Sequence, residues 1–465
     1  LLQYFRVNDP YRLLGLVAIL LVFCLPNFIS PPDLTYPELR GIVIGEKIAD
    51  GTLMYVELID SIAPLAAWFN GLIDILFGHS IVARRIVAFF LIILQAAYIG
   101  IVFANKRAFA ESSYIPSLVA GVLFIISFDT ICLTPELAGM GFLLFALNNL
   151  FKEIEFREQR DESIFNLGLY ISLASLFSFS YSVYLVGVLI TLIIFTRSSP
   201  RKYFLLVFGF LLPHLLLMSG YYLMDSLAQL MEYFYLPNLG FNSASYIPIK
   251  SLWILGALPL AFLFISFVMM NRDARFSKYQ SQLVQCMFLW LIFSVLQILH
   301  SKELRPQNLI ALIPSLSFFI THFLLLIRRR RFAEVYVWIL ILGTVSVSYL
   351  ARFDILLNVD YQRLFVPDPK SPDHNSRMLV LDGDWSIYRH NSLASPFFNW
   401  NLSREIFMNP QYYENVIQVY DGFKADPPDV IRDKEGLLLP FFDRTPELRK
   451  WYTKDGIYYT RKVSN

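Results

Sequence analysis

DLTYPELRGIVIGEKIADGTLMYVELIDSIAP, Asp33 to Pro64, lies between two long apolar runs, residues 11–29 and 81–104, and carries six carboxylic acids. Runs of that length read as membrane spans, and a segment this acidic between them belongs to the water at the membrane edge, because carboxylates are costly in hydrocarbon. Thr35-Tyr36-Pro37-Glu38 fits a capping box, and the following Leu39, Ile42, Val43, Ile48 and Ala49 fall on one apolar face. A helix along the outer membrane surface is expected there. After a turn at ADGT (49–52), a second amphipathic piece runs from Pro64 to Gly78, PLAAWFNGLIDILFG.

Composition extends the membrane reading to the whole chain. Of 465 residues 56% are hydrophobic and only 16% charged, with a mean hydropathy of +0.51, outside the range of a soluble domain. A net charge of +2 leaves no concentrated basic surface, which excludes a nucleic-acid binder. Further apolar runs at 114–130, 135–151, 165–179, 181–196, 203–222, 251–270, 282–299, 307–327 and 333–350 bring the expected total to about eleven transmembrane helices. The runs 165–179 and 181–196 are short and meet at SFSYS, as a broken or re-entrant pair would.

Basic residues sort to one side of these spans: Arg6, Lys106–Arg107, Lys152/Arg157/Arg160, Arg197/Arg201/Lys202, Arg272/Arg275/Lys278 and Arg328 to Arg331. That side reads as cytoplasm, with the N-terminus in it. The first run is too long for a signal peptide and lacks a small-residue cleavage site, so it reads as span one. Cys24, Cys132 and Cys286 lie in or beside spans, without metal-ligand spacing or a disulfide framework.

After Leu350 the sequence turns polar. RMLVLDG (377–383), DVIRD (429–433) and GIYYTRKV (456–463) read as strands, and SPFFNWNLSREIFM, PQYYENVIQVYDGF and TPELRKWY as helices, the first with Ser395 before Pro396 as cap. The expected organisation is a transmembrane domain over 1–350, with a first outer loop at 30–80, and a small α/β domain over 351–465 outside the membrane. Phe398 and Trp400 suit either a wall of an outer cavity or the tail's own core.

An acidic residue soon after span one, a helix ending in Gly, a Tyr four residues on, then Asp, Pro-Leu, an amphipathic helix, LFG-x-S and an arginine form a pattern. Here those positions are Glu38, Gly51, Tyr55, Asp60, Pro64-Leu65, LFGHS (76–80) and Arg84-Arg85. With DTICLTPE (129–136), KELRPQNLIALIPSLSFF (302–319) and the polar tail, the chain resembles GT-C glycosyltransferases of the protein O-mannosyltransferase and lipid A aminoarabinose-transferase kind. It also resembles a family of integral membrane proteins from Bacteroidota, a likeness that implies no function.

The GT-C resemblance implies transfer of a glycosyl or related group from a polyprenyl-phosphate donor to an envelope acceptor, on the periplasmic face of a bacterial inner membrane. The membrane lipid and the lipid-linked donor would be its partners, and a divalent metal is a possible cofactor of such chemistry. Its first-loop acid is the usual base, which falls on Glu38, with Asp33 as substitute. The sequence departs from the pattern in three places: Pro37 stands where Asp commonly precedes Glu, Ile62 replaces a lysine, and Ala63 replaces a proline.

Each candidate also has a plainer reading. Glu38 closes a capping box without any catalytic role, and Asp33, Asp50 and Asp60 sit where turns favour aspartate. Tyr55 is a candidate only through the resemblance. Asp129 and Glu136, at the outer ends of spans, either face a cavity or sit exposed in a turn. Arg84 and Arg85 run against the positive-inside bias, which implies a carboxylate or lipid-phosphate partner, or snorkelling to headgroups. His300, Lys302 and Arg305 gather cationic groups in one outer turn and are the best substitute for the lost lysine. A second class of function stays open: a GT-C fold that has lost catalysis and anchors or scaffolds an envelope or secretion complex.

Overall fold

The computed structural model describes residues 1–156, 161–195, 199–241, 244–356, 358–368 and 375–462. Of the basic residues used to orient the spans, Arg157, Arg160 and Arg197 lie outside the described residues. The chain is a polytopic helical membrane protein with a small sheet, and it divides into two compact units. One comprises Leu1–Pro32, Ile81–Leu217 and Gly240–Leu364; the other comprises Asp33–Ser80, Met218–Leu239 and Phe365–Asn465.

The first unit is the bundle. Eight helices among the described residues are long and apolar enough to cross a membrane, from Pro10–Ile29 through Arg330–Arg352. The other three expected crossings are shorter elements: the helix Ile115–Leu123, the helix Asp161–Phe177, and Phe179–Phe195. The 114–130 run is interrupted because its helix stops at Leu123 and the polar Ser127-Phe128-Asp129-Thr130 folds into a 3-10 turn. SFSYS likewise becomes a 3-10 turn, Phe179–Ser182, separating two helices.

Small residues set a close crossing in the bundle. A Cβ built on Gly168 would lie 2.1 Å from the Leu206 carbonyl oxygen, and one on Gly209 would lie 2.3 Å from that of Phe165. The helices Asp161–Phe177 and Pro200–Leu223 therefore touch backbone to backbone, the contact small residues permit in lipid. His214 adds an interhelical hydrogen bond, its Nε2 lying 3.0 Å from Ser175 Oγ. The three cysteines are buried, and no disulfide joins them.

The second unit is assembled from three stretches of chain. Its first helix, Tyr36–Ala49, starts with the expected capping box, Thr35 receiving the Glu38 N–H and Glu38 receiving the Thr35 N–H. Of the expected apolar face Leu39, Ile42 and Val43 are buried and Ile48 and Ala49 half-buried, so most of it packs into the protein. The helix ends at Gly51, whose φ of +88° only glycine adopts cheaply. The next helix, Pro64–Phe77, buries one side and leaves Trp68, Leu72, Ile75 and Leu76 exposed, the amphipathic pattern of an interfacial helix.

The bundle holds one short parallel pair, β1 (Ala244–Ser245) and β2 (Glu303–Leu304), and the tail folds into a five-stranded sheet in the order β4-β3-β5-β7-β6, with β3 (Arg377–Val380), β4 (Ser392–Leu393), β5 (Val430–Arg432), β6 (Tyr452–Asp455) and β7 (Tyr458–Arg461). β3 runs parallel to β4 and β5, while β7 is antiparallel to β5 and β6. The helices Trp400–Met408 and Tyr413–Ala425 make the crossover that parallel strands require. The first begins four residues later than Ser395 would place it. Asn399 is its cap, accepting from the Asn401 N–H, because Ser395 sits at φ +71° with its N–H given to Asp426. Phe398 is buried in the tail's own core, stacked on Trp385 with Tyr388 beside it, whereas Trp400 is half-buried with its ring near Phe407.

Candidate functional site

Five polar turns and helix ends of the bundle converge on one buried pair. Glu136 occupies the first turn of the helix Pro135–Phe156, where the helix dipole favours an anion. Arg305, capping the 3-10 turn Pro306–Leu312, places Nη2 2.9 Å from Glu136 Oε1 and 3.6 Å from Glu303. Side-chain exposure is only 7% for the arginine and 6% for the glutamate. Burial makes this pair costly to form and costlier to break.

Hydroxyl and amide groups extend the pair in two directions. Ser178 reaches Glu136 Oε1 at 3.5 Å, Ser180 lies 3.1 Å from Ser178, and Gln297 donates to Ser180 at 2.8 Å. Tyr181 donates to the Glu136 carbonyl oxygen at 2.8 Å, fixing the SFSYS turn to the helix start. On the other side Asp129, in the 3-10 turn Phe128–Ile131, accepts the Gln307 N–H at 3.0 Å. Asn308 donates to Ser301 and to the Glu303 carbonyl oxygen, both at 2.9 Å. Glu136 Oε2, Gln297 Oε1 and Asn308 Oδ1 are buried and have no hydrogen-bond partner among the described residues. All three are acceptors, so a ligand rich in hydroxyl donors is what would complete them.

The structure therefore brings Asp129, Glu136 and Arg305 into one polar network, where the sequence offered exposure as their alternative. His300 lies at its margin, ring against Phe179 and Phe241, and Lys302 follows half-buried. Arg84 and Arg85, in the first turns of the helix Ile81–Asn105, are buried, and Arg85 donates to the Pro32 carbonyl oxygen at 3.1 Å. Snorkelling to headgroups does not describe them. Ser178, Ser180, Gln297, Gln307 and Asn308 escaped the sequence reading. The available signal was the polarity of SFSYS and of Gln297 inside apolar runs.

In the second unit the candidates have well-defined local duties. Glu38 Oε2 accepts from Thr35 N at 3.1 Å and from Thr35 Oγ1 at 3.0 Å, and the residue is buried. Asp33 is exposed. Asp60 is fully buried and accepts from Arg40 Nη2 at 2.5 Å, from the Ile62 N–H at 2.7 Å and from Asn399 Nδ2 at 3.3 Å. Arg40 was not singled out from sequence, although it is one more cation in an outer segment, like Arg84 and Arg85. Tyr55 is buried at φ +67° and donates to the Ile62 carbonyl oxygen at 2.6 Å, so with Asp60 it shapes the turn before Pro64. Among the described residues no group of three or more His, Cys, Asp and Glu side chains could hold a metal ion.

No protein-family model matches the sequence, and no curated protein sequence does. The structure is similar to that of ArnT from Cupriavidus metallidurans bound to undecaprenyl phosphate, with a TM-score of 0.56 and 13% identity over 97% of this chain and 98% of that one. The same protein in the apo state gives 0.55 and 15%, over 96% and 97% of the two chains. A weaker likeness, TM-score 0.46 at 10% identity, extends over 97% of this chain and 74% of the Archaeoglobus fulgidus oligosaccharyltransferase tethered with an acceptor peptide. At such identities the ArnT likeness shows the fold alone.

Proposed function

We propose that this GT-C-like membrane protein transfers a glycosyl or related group from a polyprenyl-phosphate donor to an envelope acceptor, on the periplasmic face of the inner membrane. The observation that carries the reading is the buried trio of unpartnered oxygens, Glu136 Oε2, Gln297 Oε1 and Asn308 Oδ1, in the network around Arg305. Sugar hydroxyls are the donors such oxygens match, and an arginine beside them suits a phosphate. The undecaprenyl phosphate bound by ArnT supports the donor class.

In the transfer an acceptor hydroxyl or amine attacks the anomeric carbon, the bond from that carbon to the phosphate oxygen breaks, and polyprenyl phosphate leaves with the electron pair. The acceptor's proton passes to a carboxylate, Glu38 or Asp33. The resemblance gives the charge that develops on the departing phosphate to a cation among Lys302, Arg84, Arg85 and Arg305, the last of which is already paired with Glu136. Tyr55 and Asp60 keep the loop that carries the base in shape; Asp129, Glu136 and His300 frame the donor's polar end.

A second reading has its own observation. Glu38 is already engaged as the capping glutamate of its helix, and Pro37 stands where the resemblance leads one to look for aspartate. This favours a catalytically degenerate subunit that anchors or scaffolds an envelope protein complex. Mass spectrometry of polyprenyl-phosphate-linked sugars separates the two. Deleting the protein should make one such lipid accumulate severalfold if the protein consumes it; unchanged lipid pools together with unchanged envelope glycans would sink the transferase.

Orientation has a separate test. The distribution of positive residues predicts that a reporter fused after residue 465 lies in the periplasm and one fused at Arg330 in the cytoplasm. Cytoplasmic labelling of the tail would overturn the assignment of the polar unit to the outer face.

A further inference from the structure

The second unit contains a cavity of about 780 Å³ that the transfer reaction does not use. Two irregular backbones frame it: Tyr55 at φ +67°, and Met231–Tyr235, a π-helical turn of the kind that recurs at functional sites. Its remaining wall is the helix Tyr413–Ala425. A volume of this size accommodates a ligand of several hundred daltons.

The charges on its lining do not balance. Lys47 and Arg377 are the only basic residues there, and Asp426 engages both, Lys47 Nζ at 2.6 Å and Arg377 through a second ion pair. Asp50, Glu232, Glu414 and Asp421 also line the cavity and have no ion-pair partner among the described residues. Burial and the neighbouring Glu405 raise the Glu232 carboxyl above its ordinary value, the direction that uncompensated negative charge produces. Gln229 adds an amide oxygen that is buried and accepts no hydrogen bond among the described residues. The cavity thus asks for a cationic donor.

Its shape asks for more than one cation. Ile417, 45% exposed on the same helix, lines this cavity and also a second one of about 330 Å³, which is walled by Tyr413, Val416 and Tyr420 and reaches Arg444. The first cavity is lined with acids and the second mainly with apolar and aromatic side chains, and they meet at Ile417 on the one helix. Glu414 and Asp421, seven residues and two turns apart, lie about 10 Å from one another along it. A small amine fills one end of such a surface, whereas an extended peptide with alternating basic and aliphatic side chains matches its length, its charge and its apolar part.

We propose that the surface along Tyr413–Ala425 binds a basic, aliphatic peptide segment of a partner protein. This holds whether or not the chain catalyses transfer. Charge complementarity gives the encounter and its salt dependence, and Ile417 supplies the apolar contact.

The test is binding of a fluorescent peptide of alternating lysine and valine to the full chain in phosphatidylcholine nanodiscs, with empty nanodiscs subtracted. The wild-type protein should bind it, more weakly as salt rises, and a glutamate–valine peptide should not bind. Glu414→Gln with Asp421→Asn, both at exposed positions, should weaken binding by about tenfold, and Ile417→Ser should weaken it independently. Absence of binding, equal binding by the charge-neutral variant, or insensitivity to salt would overturn the proposal. Displacement of the peptide by spermidine at equal affinity would replace it with a polyamine site. Should the variants fail to fold, the salt titration and the acidic peptide still decide on the wild-type protein.

Discussion

Arg305→Ala should cost about 3–5 kcal/mol of stability, enough to lower the folded-to-unfolded ratio a hundredfold or more. The cost arises because Glu136, deep in the bundle, loses the one cation 2.9 Å from its carboxylate while remaining cut off from water. Ser178 at 3.5 Å and the helix dipole are too weak to replace it. Thermal unfolding in detergent and the abundance of protein in membranes both report the loss. Glu136→Gln combined with Arg305→Gln removes the two charges together and should recover most of it, since an uncharged hydrogen-bonded pair needs no Coulomb partner. A single variant as stable as the wild type would mean that water reaches the pair, and would undo its description as buried.

Glu38→Gln is the second large effect, and it separates catalysis from scaffolding. If the carboxylate takes the acceptor's proton, turnover should fall about 100-fold or more, because glutamine keeps the size and the hydrogen bonds to Thr35 but not the basicity. If the side chain only caps its helix, the substitution should cost at most about 1 kcal/mol and leave any cellular phenotype intact. Asp33→Asn is the parallel control, at an exposed position outside the capping box. Normal envelope glycans in a strain carrying both substitutions, with the protein at wild-type abundance, would leave the anchoring role as the surviving reading.

What the sequence displayed and what it concealed divide along physical lines. Spans such as 81–104 and 251–270 were readable because twenty consecutive apolar residues have few other homes. The run 114–130 read as one uninterrupted crossing, since a hydropathy sum does not register that SFDT leaves the helix, whereas the break between 165–179 and 181–196 was legible in the polarity of SFSYS. The capping box at Thr35 was legible because it is local, four residues long and chemically specific. The Glu136–Arg305 pair was not, for its members stand 169 residues apart and nothing in either neighbourhood specifies the other. β4, of two residues, is too short for any alternation to show, and β6 starts at Tyr452, the last residue of TPELRKWY, directly after a helix that ends at Trp451. The apolar face of Tyr36–Ala49 was legible and the protein that covers most of it was not, because periodicity reveals that a face is buried and not what buries it.

The three-part construction of the second unit has a consequence for how the protein is made. Its first stretch ends at Ser80 and its last begins at Phe365, so about 285 residues must be synthesised between them, which takes roughly 15–60 s at ribosomal rates of about 5–20 residues per second. Until then Lys47 has no Asp426, and Asp60 has no Asn399. The early loop leaves the ribosome as an incomplete core exposing Leu39, Ile42 and Val43, and it must be shielded, by the bilayer or by a chaperone, until the last hundred residues arrive.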